Sequence, residues 1–245
     1  MASYDYSSGK TRINNILTNT MKVIDSDKLP PDEHFTFSNA HFSWVTGIFV
    51  DIRDSTSIFS KENQEMVAKV IRAFTSEVIE IFRDDDNLRE IGIRGDCVYA
   101  IYTTPKKSDI SEIMDMSFYV NTLMKLLNKE YRKRNFPEIE VGIGIGTAKE
   151  LVVKAGRKDT GINNKVWIGK AVTKASKLSS FGSKDGYQPI VISSLTYSNI
   201  IEDFVQRNGE NAKTWFNERN DSNLGVFYDC SIIKTDFNNW IDQHD

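Results

Sequence analysis

Asp51 ends the apolar run 45–50 and opens the polar turn Ile52-Arg53-Asp54-Ser55-Thr56. A carboxylate at the end of a buried strand and beside a helix start is a hard oxygen ligand. It stands next to free backbone N–H groups that favour phosphate oxygens. The same pattern also serves as an ordinary helix cap, so this segment alone leaves both readings open. Asp96 closes Gly92-Ile93-Arg94-Gly95-Asp96, in which Gly95-Asp96 has the composition of a hairpin turn. Taken singly the turn is unremarkable. On adjacent strands, however, Asp51 and Asp96 would form a paired-carboxylate site for two divalent ions, which clamps and polarises phosphates during in-line displacement.

The elements that must position this pair follow from periodicity. Residues 45–50 read as a strand, and 61–82 as a helix with Met66, Val67, Val70, Phe74, Val78 and Ile81 on one stripe. Asp84-Asp85-Asp86 reads as a solvated helix end. Residues 91–102 form a hairpin, and 108–133 a second helix closed by Phe136-Pro137. Residues 139–146 alternate strictly, with Ile139, Val141, Ile143 and Ile145 on one face and Gly142, Gly144 and Gly146 on the other. A strand face that bare predicts something packed very close to the backbone. Further strands are expected at 151–155, 189–192 and 225–233, and a helix at 168–180 with Ala171, Val172, Ala175 and Leu178 inward. Strands and hairpins interrupted by helices indicate an α+β fold on an antiparallel-rich sheet. The expected organisation is an N-terminal arm (1–43), a catalytic domain (44–205) and a C-terminal extension with a final strand (206–245).

The 245 residues carry 31 Lys and Arg against 34 Asp and Glu, a net charge of -3, which argues against nucleic acid as a partner. The two cysteines, Cys97 and Cys230, have no metal-ligand spacing and read as reduced thiols. No apolar run is long enough to span a membrane, and the N-terminus lacks a signal-peptide core, so a cytoplasmic protein is expected. Ser8-Gly9-Lys10-Thr11 imitates the end of a P-loop, but Tyr4 stands where its first glycine belongs. His34, His41 and His244 are expected on the surface or in the arm, and Trp215, Phe216 and Trp240 as packing or dimer anchors.

FVDIRDST followed by GIRGDCVYAIY resembles the class III adenylate and guanylate cyclase family, and the likeness extends through VGIGIGTAKELVVKAG and VWIGKAVTKASKL to cover 45–195. The resemblance implies a ferredoxin-like fold acting as a head-to-tail homodimer with shared active sites. It implies that Asp51, the Ile52 carbonyl and Asp96 hold two divalent ions, Mn²⁺ or Mg²⁺. Ser55 and Thr56 would lie beneath the β- and γ-phosphates, and Phe49 would line the nucleotide pocket. Where purine cyclases place Asn and Arg on the interface helix, this chain has Thr173 and Lys177, which keep the i,i+4 spacing but lack the guanidinium fork.

The two positions that read a purine in the family are Gly92 and Val166 here, so both polar readers are missing, while Arg94 adds a donor in the hairpin. Uracil presents acceptors at O2 and O4, whereas adenine and cytosine need an acceptor for their amino groups. A pocket with donors and no carboxylate therefore favours UTP. This resembles the bacterial pyrimidine cyclases of anti-phage signalling, whose cyclic nucleotide activates a separate effector. The alternatives are a cytidylate cyclase, a catalytically silent nucleotide-binding module, and a palm-type polymerase. The hairpin disfavours the polymerase because it lacks a paired-acid turn.

Overall fold

The computed structural model describes residues 4–158 and 160–244. In chain order the elements are α1 (Tyr6–Thr18), β1 (Lys22–Asp25), β2 (Asn39–Ile52), α2 (Ser55–Phe59), α3 (Gln64–Arg83), β3 (Leu88–Arg94), β4 (Cys97–Thr103) and α4 (Lys107–Arg132). There follow β5 (Val141–Gly156), β6 (Asn163–Ile168), α5 (Ala171–Ser179), β7 (Ile190–Ser193), α6 (Ser194–Asn208), β8 (Asn217–Asp221), β9 (Gly225–Cys230) and α7 (Thr235–Gln243).

The strands form one mixed sheet in the order β3-β4-β2-β5-β7-β9-β8, with β1 on β2 and β6 on β5. The β1–β2 and β5–β7 pairs are parallel and the others antiparallel. Within it β2-α3-β3-β4-α4-β5 is the ferredoxin-like unit expected above. One face carries the main core, in which Ile48, Val50 and Ile52 of β2 meet Val70, Phe74, Val78 and Phe82 of α3 and Ile113, Val120 and Leu127 of α4. The i,i+4 spacing of the α3 set makes a single stripe, and Asn63 caps that helix by accepting the N–H of Glu65.

The bare strand face is covered as its glycines require. A Cβ on Gly142, Gly144 or Gly146 would collide with backbone atoms of α5, whose Ala171 and Ala175 bring it down onto the sheet. A buried chain of hydroxyls fixes the register of the central pair on the opposite face. Thr46 bonds Thr147 (2.9 Å) and Thr104 (3.0 Å), and Thr196 bonds Thr147 (3.0 Å) and Ser193 (2.8 Å). Slipping β2 by one residue would leave these groups without partners, at about 1–3 kcal/mol each.

Several expectations change. The strands at 139–146 and 151–155 are one 16-residue strand, and the expected 168–180 helix begins at Ala171 because 163–168 form β6. The final strand stops at Cys230, and α6 and α7 were not foreseen. Segments before residue 44 join the sheet: β1 lies on β2, β2 itself starts at Asn39, and Leu29 and Phe35 are buried. His41 is not a surface residue but lies buried against Phe35, with ring centroids 4.7 Å apart. No helix among the described residues is long and apolar enough to cross a membrane.

Candidate active site

Asp51 is the penultimate residue of β2, directly opposite Cys97 at the start of β4 and Gly142 near the start of β5. Asp96 sits in the two-residue turn just before Cys97, with Gly95 at φ +64° to close the hairpin. The sheet thus brings the two carboxylates to one edge of the face that α5 covers. Burial raises the Asp51 proton affinity first; the Arg53 charge opposes this, and the neighbouring charge of Asp96 raises it further. Two hard oxygen donors that repel each other are a fitting donor set for divalent cations. The side chain of Ile52 is buried in the core, so that residue could contribute only through its backbone carbonyl. Among the described residues no group of three or more His, Cys, Asp or Glu converges on a metal site, so the candidate rests on this pair.

Arg53 is a component that the sequence reading did not single out. Its guanidinium pairs with the Asp51 carboxylate, and it donates to the Asp51 carbonyl (3.2 Å) and to the carbonyl of Ser180 (2.9 Å) just past α5. The next residue, Asp54, is left-handed at φ +48°, a conformation that Asp tolerates better than most residues. Its carbonyl accepts the N–H groups of Ser57 (2.9 Å) and Ile58 (3.0 Å), which starts α2 with Ser55 and Thr56 in its first turn. Cys97 lies beside the pair, but burial and the two aspartates push its thiol up to about 12, so it is not a nucleophile at neutral pH.

On the same sheet face Phe49 stacks on Tyr99, with centroids 5.1 Å apart and planes 14° apart. Gly92 of β3 lies opposite Tyr99 in register, and Arg94 is exposed at the strand end. Val166 is not brought to this group. It alternates with Trp167, which packs on the α5 side of the sheet, so Val166 points the other way and is 42% exposed. Thr173 and Lys177 share the outer, exposed face of α5, and the Thr173 hydroxyl donates to the Gly169 carbonyl (3.1 Å).

The placement of α5 depends on Glu150, another residue that sequence reading passed over. Its carboxylate is fully buried and accepts the N–H groups of Ala171 and Val172 (3.1 Å), the first two of the helix. This satisfies two of the helix's orphan donors through one carboxylate oxygen.

Comparison with known proteins agrees with this architecture. The adenylate and guanylate cyclase catalytic domain matches residues 37–214. A uridylate cyclase of Treponema porcinum is 55% identical over 240 residues, covering 98% of this chain and 82% of that protein. A uridylate cyclase of Gulbenkiania mobilis is 29% identical over 253 residues, covering 99% and 97%. Among solved structures, the adenylyl cyclase CyaB from P. aeruginosa superposes with a TM-score of 0.63 at 23% identity, covering 80% of this chain and 98% of that one. With a family match over most of its length, the chain belongs to the adenylate and guanylate cyclase catalytic domain family.

Proposed function

We propose that the chain is a uridylate cyclase, converting UTP to 3′,5′-cyclic UMP and pyrophosphate. The observation that carries this reading is the base pocket. Gly92 offers no polar group to a purine, and Tyr99 lies against it where a purine-reading side chain would emerge. The uridylate cyclase relatives support it.

Asp51, Asp96 and the carbonyl of Ile52 would hold two divalent ions, Mn²⁺ or Mg²⁺, which when bound supply positive charge to the phosphate oxygens. The first turn of α2, with Ser55 and Thr56, lies beneath the β- and γ-phosphates. Phe49 faces the nucleotide, and Arg94 donates to it at a base edge or a phosphate. The ribose 3′-hydroxyl attacks the α-phosphorus in line and pyrophosphate leaves. Lys177 offers charge and Thr173 a hydrogen bond to the developing phosphorane oxygens. Both stand on the outer face of α5, so they serve a site completed by a second copy. The chain then works as a head-to-tail homodimer whose sites draw on both protomers. The product acts as an anti-phage second messenger read by a separate effector.

One observation favours a silent nucleotide-binding module instead: the Thr173 hydroxyl is turned back on the Gly169 carbonyl just before its helix. A single assay separates the readings. Purified protein is incubated with each of the four NTPs and Mn²⁺, and the products are resolved by chromatography. Cyclic UMP is expected. Nucleotide binding without any cyclic product sinks the cyclase reading, and cyclic AMP as the main product sinks the pyrimidine reading.

A further inference from the structure

The side chain of Tyr99 covers Gly92 so closely that a Cβ on that glycine would stand 2.7 Å from the Tyr99 hydroxyl oxygen, 2.8 Å from Cζ and 2.9 Å from Cε1. Real Cβ atoms do not approach other atoms this closely, so while the ring stays in place nothing larger than hydrogen fits at Gly92. The ring is held from two further directions. Its face stacks on Phe49, and its hydroxyl donates to Glu90 Oε1 at 2.8 Å. The other oxygen of Glu90 accepts the indole N–H of Trp167 at 2.7 Å. Both carboxylate oxygens of Glu90 are therefore committed, one to β4 and one to β6. A second clamp joins β6 to β3, the strand that carries Glu90: Lys165 of β6 donates to the carbonyl of Arg89 (2.6 Å) and also pairs with Asp32 (2.7 Å).

We propose that Tyr99, fixed by Glu90, is a specificity-determining residue that fills part of the base pocket and excludes purines by volume; this rests on the uridylate cyclase reading above. The missing polar readers explain only why a purine is not recognised. A filled pocket explains why it is rejected. A one-ring base fits against the Phe49–Tyr99 wall, whereas a second ring must displace Tyr99. Displacement breaks the Glu90 hydrogen bond and the stack together, and with them the anchor of Trp167. Glu90 touches no substrate; it is a positioning residue for Tyr99. Its carboxylate cannot swing to serve an amino-bearing base without releasing both partners, which adds to the preference for uracil.

The test is the ratio of affinities for 3′-deoxy-ATP and 3′-deoxy-UTP, which lack the attacking hydroxyl, measured by calorimetry with Mn²⁺ on the full chain. Loss of structure weakens both ligands together, so a merely structural role leaves the ratio alone. For Tyr99→Leu the ratio is expected to move toward the purine by about tenfold or more, within the range for a changed pocket volume. Tyr99→Phe and Glu90→Gln, which keep the ring but free it, should each move it by about threefold. A Tyr99→Leu ratio equal to wild type overturns the inference. Should Tyr99→Leu fail to fold by circular dichroism, unchanged ratios in both milder variants overturn it instead. The cyclase reading is judged separately, by cyclic product from natural UTP, because the affinity ratio needs no turnover.

Discussion

The guanidinium of Arg53 closes back onto the carboxylate of Asp51, two residues earlier, and continues to the carbonyl of Ser180 at 2.9 Å. One side chain thus ties the candidate metal ligand to the end of α5. Asp51 is about a third exposed, so solvent weakens the pair, and its breakage should cost about 1 kcal/mol. Arg53→Ala should lower the denaturation midpoint of metal-free protein accordingly. It should also enlarge the stabilisation gained from Mn²⁺, because a cation no longer competes for the carboxylate. Thermal melts with and without Mn²⁺ check both signs; a smaller Mn²⁺ effect in the variant would contradict the competition.

Glu150 links pH to the seating of α5. Burial raises its pKa above the ordinary 4.5, against the lowering effect of the Val172 and Ala171 N–H groups. Facing it across the strand pair is Ser43, with His41 on the same face of β2. A raised carboxyl contributes stability that is fully present below its unfolded value and is lost as pH rises through its folded value. Stability of the wild type relative to Glu150→Gln should therefore fall as pH rises above about 4.5. Gln keeps an acceptor oxygen for the helix, whereas Glu150→Ala should cost about 0.5–2 kcal/mol through the lost cap. Urea denaturation from pH 4.5 to 8 measures the difference. A pH-independent gap between wild type and Glu150→Gln would refute the assignment.

Gly144→Ala should be among the most damaging small substitutions. Its Cβ would enter the backbone of α5 at Ala175 and Ser179. Backbone cannot rotate away as a side chain does, so overpacking should cost about 3 kcal/mol. The same methyl shifts Thr173 and Lys177, so turnover should fall further than the unfolded fraction at assay temperature accounts for. Paired melting curves and kcat values test this; a variant as stable as wild type would mean that α5 does not rest on Gly144.

Much of this was legible because periodicity reports burial. Val70, Phe74 and Val78 recur at helical spacing, and the glycine alternation at 142, 144 and 146 marks a strand face with a close neighbour, which is α5. The unread parts share one property: their meaning lies in contacts distant in sequence. β6 is mostly exposed, and its β-forming run, Val166-Trp167-Ile168, is only three residues long, too short to mark a strand by alternation. Glu90 and Trp167 are 77 positions apart, and each looks ordinary until the sheet curls β6 onto β3. Glu150 reads as a surface residue of a polar stretch, yet it is fully buried as a helix cap. By contrast, α6 was missed though its Thr196, Ile200 and Phe204 stripe and Ser193 cap were available.

The shared-site arrangement makes a quantitative claim. Asp51 lies at the C-terminal end of the interior strand β2, whereas Thr173 and Lys177 face outward from α5, so each site of a dimer would take its carboxylates from one copy and its helix from the other. Asp51→Ala and Lys177→Ala homodimers should each be inactive, having both sites damaged. In a heterodimer of the two variants, both lesions fall in one site and the second site is intact. Equal mixing gives half heterodimers, each with one working site, so activity should return to about a quarter of wild type. Subunit exchange followed by a UTP assay measures this. Activity that stays at zero after exchange, verified by mass spectrometry of the mixed dimers, would mean that Asp51 and Lys177 serve the same copy.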